Sequence, residues 1–294
     1  MPKNLPKNLL KNFGWLNLSW LKLKILGFSL LWGLSAAPAI AVSLQPAPNP
    51  EITPQEVGQA VNTLFDKAFE ATSHGDFATA EGLWTEILAR YPKNAAVWSN
   101  RGNAKVSQRK LQEAIEDYNQ SIALAPDQPD PYLNRGTALE GLQDWDAAIA
   151  DYNRVLALDP IDPAAFNNRG NAKAGAGDWD AALQDYQTAV ELKPGFAMAQ
   201  ANCALALYQL GETDASMQRF RNLVRKYPQF ADVRAAFTAA LWAQGQRGEA
   251  ESQWVSVVGL DSRYRDLDWV RTIRRWPPRL VEALGQFLSL QSNG

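Results

Sequence analysis

Three stretches of this chain restate one another at a fixed interval. Val97-Trp-Ser-Asn-Arg-Gly-Asn103, Pro131-Tyr-Leu-Asn-Arg-Gly-Thr137 and Ala165-Phe-Asn-Asn-Arg-Gly-Asn171 align without a gap at a spacing of 34 residues. Each is followed by a second half, Ala114-Ile-Glu-Asp-Tyr118, Ala148-Ile-Ala-Asp-Tyr152 and Ala182-Leu-Gln-Asp-Tyr186, and then by Pro126, Pro160 or Pro194. Self-similarity at such a period restricts the fold more than length or composition does. Each copy must be one supersecondary unit, and a unit too small to bury its own apolar face must stack on its neighbours.

The pattern of a large residue, a small glycine, a central alanine, an aromatic and a closing proline resembles the tetratricopeptide repeat. That resemblance implies an all-α, right-handed superhelical solenoid of helix-turn-helix units. The register extends outward to six units: 61–94, 95–128, 129–162, 163–196, 197–230 and 231–264. Unit one keeps Ala68, Ala80, Trp84 and Pro92; unit five keeps Ala204, Phe220 and Pro228; unit six keeps Ala250 and Trp254 but has Ser262 in place of the proline. Degenerate end units are expected where a stack meets solvent or a cap. Gly102, Gly136 and Gly170 let the first helix approach the second, Ala114, Ala148 and Ala182 do the same from the other side, and the tyrosines fill space between units. Gly75-Asp76 and Gly177-Asp178 stop one helix and cap the next.

The first fifty residues read as a different kind of segment. They hold Lys3, Lys7, Lys11, Lys22 and Lys24, an apolar run from Ile25 to Leu34, and small residues at Ala39 and Ala41. A basic start, a short apolar stretch and a small-residue site predict a Sec-type secretory signal over 1–41, cleaved after Ala41. The alternative is an uncleaved anchor from Ile25 to Val42, at the short end of a bilayer span. Either places the body outside the cytoplasm. A proline-rich linker is expected over 42–60.

Composition removes whole classes of chemistry. One cysteine, Cys203, allows no intrachain disulfide or cysteine metal cluster, and one histidine, His74, excludes a histidine-pair metal site and most histidine-based triads. The net charge of −2 does not suggest a nucleic-acid binder. No phosphate loop, nucleophile elbow or carboxylate pair stands out. No enzyme activity, cofactor, metal, nucleic acid or small-molecule substrate is expected.

The resemblance places the first helix of each unit on the concave face. The sixth position is asparagine in four successive units, Asn100, Asn134, Asn168 and Asn202; the ninth adds Asn103 and Asn171, and the fifth adds Asn167. An amide side chain offers both a donor and an acceptor, so it can pair with a peptide group without reading its side chain. Packed helices lie about 8–10 Å apart and an extended chain advances roughly 3.3 Å per residue, so one rung meets about every third residue of a bound segment. These seven residues are the candidate peptide-binding set; the alternative is that they cap or bridge neighbouring helices. The carboxylate-clamp version of the fold needs cations where this chain has Ser99, Ala164 and Asn168, so capture of acidic chaperone tails is not expected.

Arginine at the seventh position and aspartate at the twenty-third occur together in three units, as Arg101 with Asp117, Arg135 with Asp151 and Arg169 with Asp185. That pairing predicts a bridge between the two helices of a unit. Charge is also divided. Residues 42–196 carry a net −10 and residues 197–294 a net +3. The rear groove, Ala201, Leu205, Tyr208, Ala235, Ala239 and Trp242, is apolar. A groove running from a polar, acidic mouth to an apolar end would favour a basic or neutral segment at the front.

The tail, 265–294, leaves the repeat. It predicts a helix over Leu267–Ile273, a break at Pro277-Pro278, a second helix over Leu280–Leu288, and a capping role. Arg271, Arg274, Arg275, Trp276 and Arg279 exceed what a cap needs, and could instead dock an anionic surface, a lipid headgroup or a partner.

The sequence thus predicts a scaffold that binds protein partners as extended segments. Its repeat style behind a secretory signal resembles exported cyanobacterial and chloroplast thylakoid tetratricopeptide proteins, several of which assist photosystem assembly; that likeness implies a thylakoid lumen or periplasmic setting. The alternatives are a membrane-surface adaptor working through the tail and a periplasmic envelope-assembly factor.

Overall fold

The structure is a computed structural model that describes residues 54–291, with side chains over 61–290. The expected signal over 1–41 and the linker up to residue 53 lie outside the described residues. All regular structure among the described residues is helical. Six helix pairs follow one another: α1 (Pro54–Ser73) and α2 (Phe77–Arg90), α3 (Ala95–Ser107) and α4 (Leu111–Leu124), α5 (Pro129–Gly141) and α6 (Trp145–Leu158), α7 (Pro163–Gly175) and α8 (Trp179–Leu192), α9 (Ala197–Leu210) and α10 (Thr213–Lys226), α11 (Ala231–Ala243) and α12 (Arg247–Leu260). The fold is an all-α tetratricopeptide solenoid with added C-terminal helices. Helix α1 starts at Pro54, inside the stretch 42–60 read as linker; proline is tolerated in a first helical turn, where its missing N–H costs nothing.

The helix boundaries are written in short-range chemistry. Asp76, Asp144 and Asp178 accept from the backbone N–H three residues on and start α2, α6 and α8, while Asn94 and Asp162 start α3 and α7. The turn within each unit passes through one left-handed residue. Gly75, Gly177, Gly211 and Gly245 supply it in four units, Arg109 (φ 63°) and Gln143 (φ 62°) in the other two.

Packing explains the glycine at the eighth position. A Cβ on Gly102, Gly136 or Gly170 would lie 2.7, 2.7 or 2.6 Å from a ring carbon of Tyr118, Tyr152 or Tyr186. Each tyrosine therefore packs directly on its own unit's first helix, and Tyr118 also shares a cluster with Ala138 of the next unit. Ala80, Ala114, Ala148, Ala182 and Ala250 are fully buried.

Beyond α12 the chain makes a 3-10 turn (Ser262–Arg265), a three-residue helix α13 (Leu267–Trp269), a π turn (Val270–Arg274) and a long helix α14 (Pro278–Gln291). The break thus falls just before Pro278, which opens α14. Helix α14 packs on α11 and α9, the first helices of units six and five. Its Leu280, Val281, Ala283, Leu284 and Phe287 are buried in one cluster with Ala201, Tyr208, Ala235 and Ala239, and Leu205 and Trp242 pack at its edge. The six residues read as an open apolar groove are therefore the bed of α14. Burying that many large apolar groups outweighs leaving the groove free for a ligand.

Candidate functional site: the face of the first helices

The predicted bridges form. Arg101, Arg135 and Arg169 each grip their aspartate through Nε at 2.8 Å and Nη2 at 2.6–2.7 Å. Each remaining Nη1 reaches back to the preceding unit, to Thr85, Asn119 or Asn153. The guanidinium also lies over the ring of Trp98, Tyr132 or Phe166 in its own helix. Lys105 and Lys173 add a second cation to Asp117 and Asp185, at 3.0 and 2.8 Å. The bridge thus ties each first helix both to the second helix of its own unit and to the second helix of the unit before. The Asp151 carboxylate beside Arg135 raises that guanidinium's pKa, against the opposing effect of burial.

The asparagines divide into two groups. In units four and five they bond to one another. Asn202 Nδ2 donates to Asn167 Oδ1 at 2.9 Å and to Asn171 Oδ1 at 3.1 Å, and Asn167 Nδ2 donates to Asn168 Oδ1 at 3.2 Å. Asn167 and Asn168 are buried. Asn171 and Asn103 also each accept from the hydroxyl of the tyrosine behind them, Tyr186 and Tyr118. Helix bridging, the alternative reading, accounts for these rear amides. In units two and three, by contrast, Asn100 and Asn134 are half-buried and make no side-chain hydrogen bond among the described residues. The contacts of Asn202 show that the sixth position of one unit meets the fifth and ninth of the unit before. Asn100 and Asn134 therefore stand on the face that successive first helices share, with donor and acceptor both open.

The tail arginines are largely committed within the molecule. Asp232, buried at the start of α11, accepts from Arg274 Nε at 2.9 Å, Trp276 Nε1 at 2.9 Å and Tyr264 Oη at 2.7 Å, and Arg274 Nη2 lies 2.7 Å from its second oxygen. Burial pushes the Asp232 carboxyl up, but these donors outweigh it and hold the group below the ordinary carboxylate range. Arg279 donates to the carbonyls of Tyr208 and Gln209 and lies over the Tyr208 ring. Arg275 reaches Glu140 and lies over Trp145. Arg271 pairs with Asp268 at 2.6 Å on the surface. The cluster that the sequence offers as a free docking patch is mostly the fastening of α14; the partners of Arg274, Arg275 and Arg279 sit 42 to 135 residues earlier in the chain.

Sequence reasoning passed over Glu140. It is buried on α5, accepts from Tyr152 Oη at 2.5 Å, and lies 3.4 Å from Arg275 Nη1. Burial pushes its carboxyl up to about 7, against the lowering pull of Tyr152 and Arg275. One signal was available: Glu140 is the only charged residue at the twelfth position of the six units, where the others are Thr72, Val106, Ala174, Tyr208 and Trp242. Cys203 is buried, and burial raises its thiol to about 11. Among the described residues no group of histidine, cysteine and acidic side chains is arranged to hold a metal ion, and no helix is long and apolar enough to cross a membrane.

Known proteins place this arrangement in a class. Residues 138–202 and 173–236 match family models described as Tetratricopeptide repeat, and residues 102–143 match one described as TPR repeat. No curated protein matches the chain. Among solved structures it is similar to a tetratricopeptide repeat protein from Parabacteroides merdae ATCC 43184, with 20% identity, a TM-score of 0.61, and coverage of 79% of this chain and 98% of that one. It is similar to a MamA protein at 23% identity and TM-score 0.51, covering 58% of this chain and 94% of that one. It is also similar to a chain of the APC/C hetero-tetramer Cut9–Hcn1 at 18% identity and TM-score 0.62, covering 69% of this chain and 40% of that one.

Residues 102–236 thus carry tetratricopeptide repeats, and the fold of the described residues is a tetratricopeptide solenoid. The fold is that of a protein–protein interaction scaffold.

Proposed function

We propose that this protein is a non-enzymatic scaffold that holds an extended protein segment along the first helices of units two to four. The observation that carries the reading is the pair Asn100 and Asn134. Two half-buried amides repeat at one helix-to-helix step without a side-chain hydrogen bond among the described residues, whereas each other ladder asparagine makes at least one. An amide left without a partner in a partly dry setting favours a ligand that supplies one. Helix α14 fills the rear of the face, so the segment lies toward the front.

The reading extends to place and client. The basic, apolar and small-residue order of 1–41 supports export, and hence a periplasmic or thylakoid-lumen setting. The repeat style supports a role in assembling membrane complexes such as photosystems.

The test is site-directed photo-crosslinking in the living source cell. A photoreactive residue replacing Thr137, exposed on α5 at the ninth position, should capture one recurring protein. The same residue replacing Ala150, exposed on α6, should not. Equal capture from both positions, or capture from Ala150 alone, contradicts the assignment.

A further inference from the structure

Four arginine–carboxylate pairs with buried acids are tight among the described residues. Arg101–Asp117, Arg135–Asp151, Arg169–Asp185 and Arg274–Asp232 close at 2.6–2.7 Å, each with a second N–H on the other oxygen. Glu140 differs. Its carboxylate is as buried as theirs, yet Arg275, its only cation among the described residues, touches it once, at 3.4 Å. The Arg275 side chain remains 40% exposed, and its backbone is left-handed at φ 53°, a conformation that disfavours a residue with a Cβ. Its neighbours Arg274 and Trp276 are fastened separately to Asp232. Arg275 can therefore swing away without unfastening the tail.

The place that Arg275 occupies is built for a guanidinium. The carboxylate is oriented by Tyr152, and the Trp145 ring lies 5.5 Å below the guanidinium carbon. That ring is itself fixed, because its edge presses on Gly175 of the next unit, where a Cβ would come within 2.7 Å. A carboxylate with an aromatic platform suits arginine, which pairs and stacks at once. Glu140 lies six residues beyond Asn134 on α5, or about 9 Å along the helix axis. The amide ladder leads a bound chain across the helices, so this offset along α5 is spanned by a long side chain rather than by main chain. A segment held at Asn134 can thus deliver a side chain to Glu140, and the acidic balance of residues 42–196 draws a basic one.

We propose that Glu140 and Trp145 form a cation-accepting subsite of the groove, held in the free protein by Arg275, and that the segments bound carry an arginine that takes its place. This rests on the groove reading given above. It narrows the partner class to basic segments, and it makes Arg275 an internal competitor for them.

The test uses the full chain and two capped heptapeptides of alanine, one with a central arginine and one with the uncharged isostere citrulline, titrated by calorimetry at pH 8. The Arg275→Ala protein should bind the arginine peptide about tenfold more tightly than the citrulline peptide, the gain of a charge-assisted pair. Wild type should show a smaller preference, and Glu140→Gln, which keeps the shape and the Tyr152 contact, should show none. Arg275→Gln serves as the second unlatched variant, and Arg271→Ala should behave as wild type. Equal affinities, or no binding of either peptide to both unlatched variants, would overturn the proposal. An Asn100→Ala/Asn134→Ala background separates the two readings. If both peptides weaken there but arginine is not preferred, the groove stands and the subsite fails. If arginine is preferred and the double variant changes nothing, the subsite stands and the amide grip fails.

Discussion

Arg135 holds Asp151 across the two helices of its unit with paired N–H donors at 2.8 and 2.6 Å, and its third donor reaches Asn119 of the preceding unit. One side chain thereby sets both the closure of a hairpin and its register on its neighbour. Replacing Arg135 by Met leaves a carboxylate buried without its cation, and should cost about 3–5 kcal/mol of stability. Adding Asp151→Leu should return most of that loss, since removing both charges removes the uncompensated one. Denaturant melts of the single and double variants check this.

Gly136→Ala sets two effects against each other. Alanine gains about 1 kcal/mol in a helix interior. The added methyl would sit 2.7 Å from the Tyr152 ring, which cannot retreat freely because its hydroxyl is bonded to Glu140. Overpacking of this kind costs about 1–3 kcal/mol, so the net effect should be destabilising. Gly82→Ala, where a Cβ meets nothing within 4 Å, should go the other way in the same melting assay.

Arg109 and Gln143 sit left-handed at the turn position where four other units have glycine. Arg109→Gly and Gln143→Gly should each raise stability by up to about 1 kcal/mol, because the strain they relieve exceeds the backbone freedom that glycine must give up. A rise in thermal midpoint for each, adding in the double variant, is the expected result.

The pH profile follows from Glu140. Its folded pKa of about 7 lies above the ordinary 4.5, so the folded chain binds this proton more strongly than the unfolded one. Stability therefore falls as pH rises through about 4.5 to 7, by roughly 3 kcal/mol for a shift of that size. Glu140→Gln should flatten this window. Asp232 acts with opposite sign: held low by Arg274, Tyr264 and Trp276, it lends stability that is lost only in stronger acid. Urea melts of wild type and Glu140→Gln at pH 5 and pH 8 read the difference.

The parts legible in the sequence are those written at short range or at the repeat period. The caps Asp76 and Asp178, the glycine–tyrosine contacts and the Arg–Asp bridges recur 34 residues apart or lie within one unit, so the pattern itself reveals them. The tail is different. Arg275 and Glu140 stand 135 residues apart and occur once, so no periodicity links them, and arginines with distant partners read as surplus. The amides show a third situation. Their positions are periodic, but the residues they meet are not: Asn202 faces Asn167 and Asn171 of the unit before, where Asn134 has Ser99 and Asn103. Asn134 occupies the same position and is open.

The central claim is that the open amides grip a main chain. The direct measurement is the dissociation constant of the crosslinked partner segment, once sequenced, for wild type, for Asn100→Ala/Asn134→Ala, and for Gln120→Ala on exposed α4. Loss of two or more hydrogen bonds should weaken binding about tenfold or more in the double variant, with Gln120→Ala unchanged. An unaltered constant in the double variant would place the grip elsewhere and contradict the account.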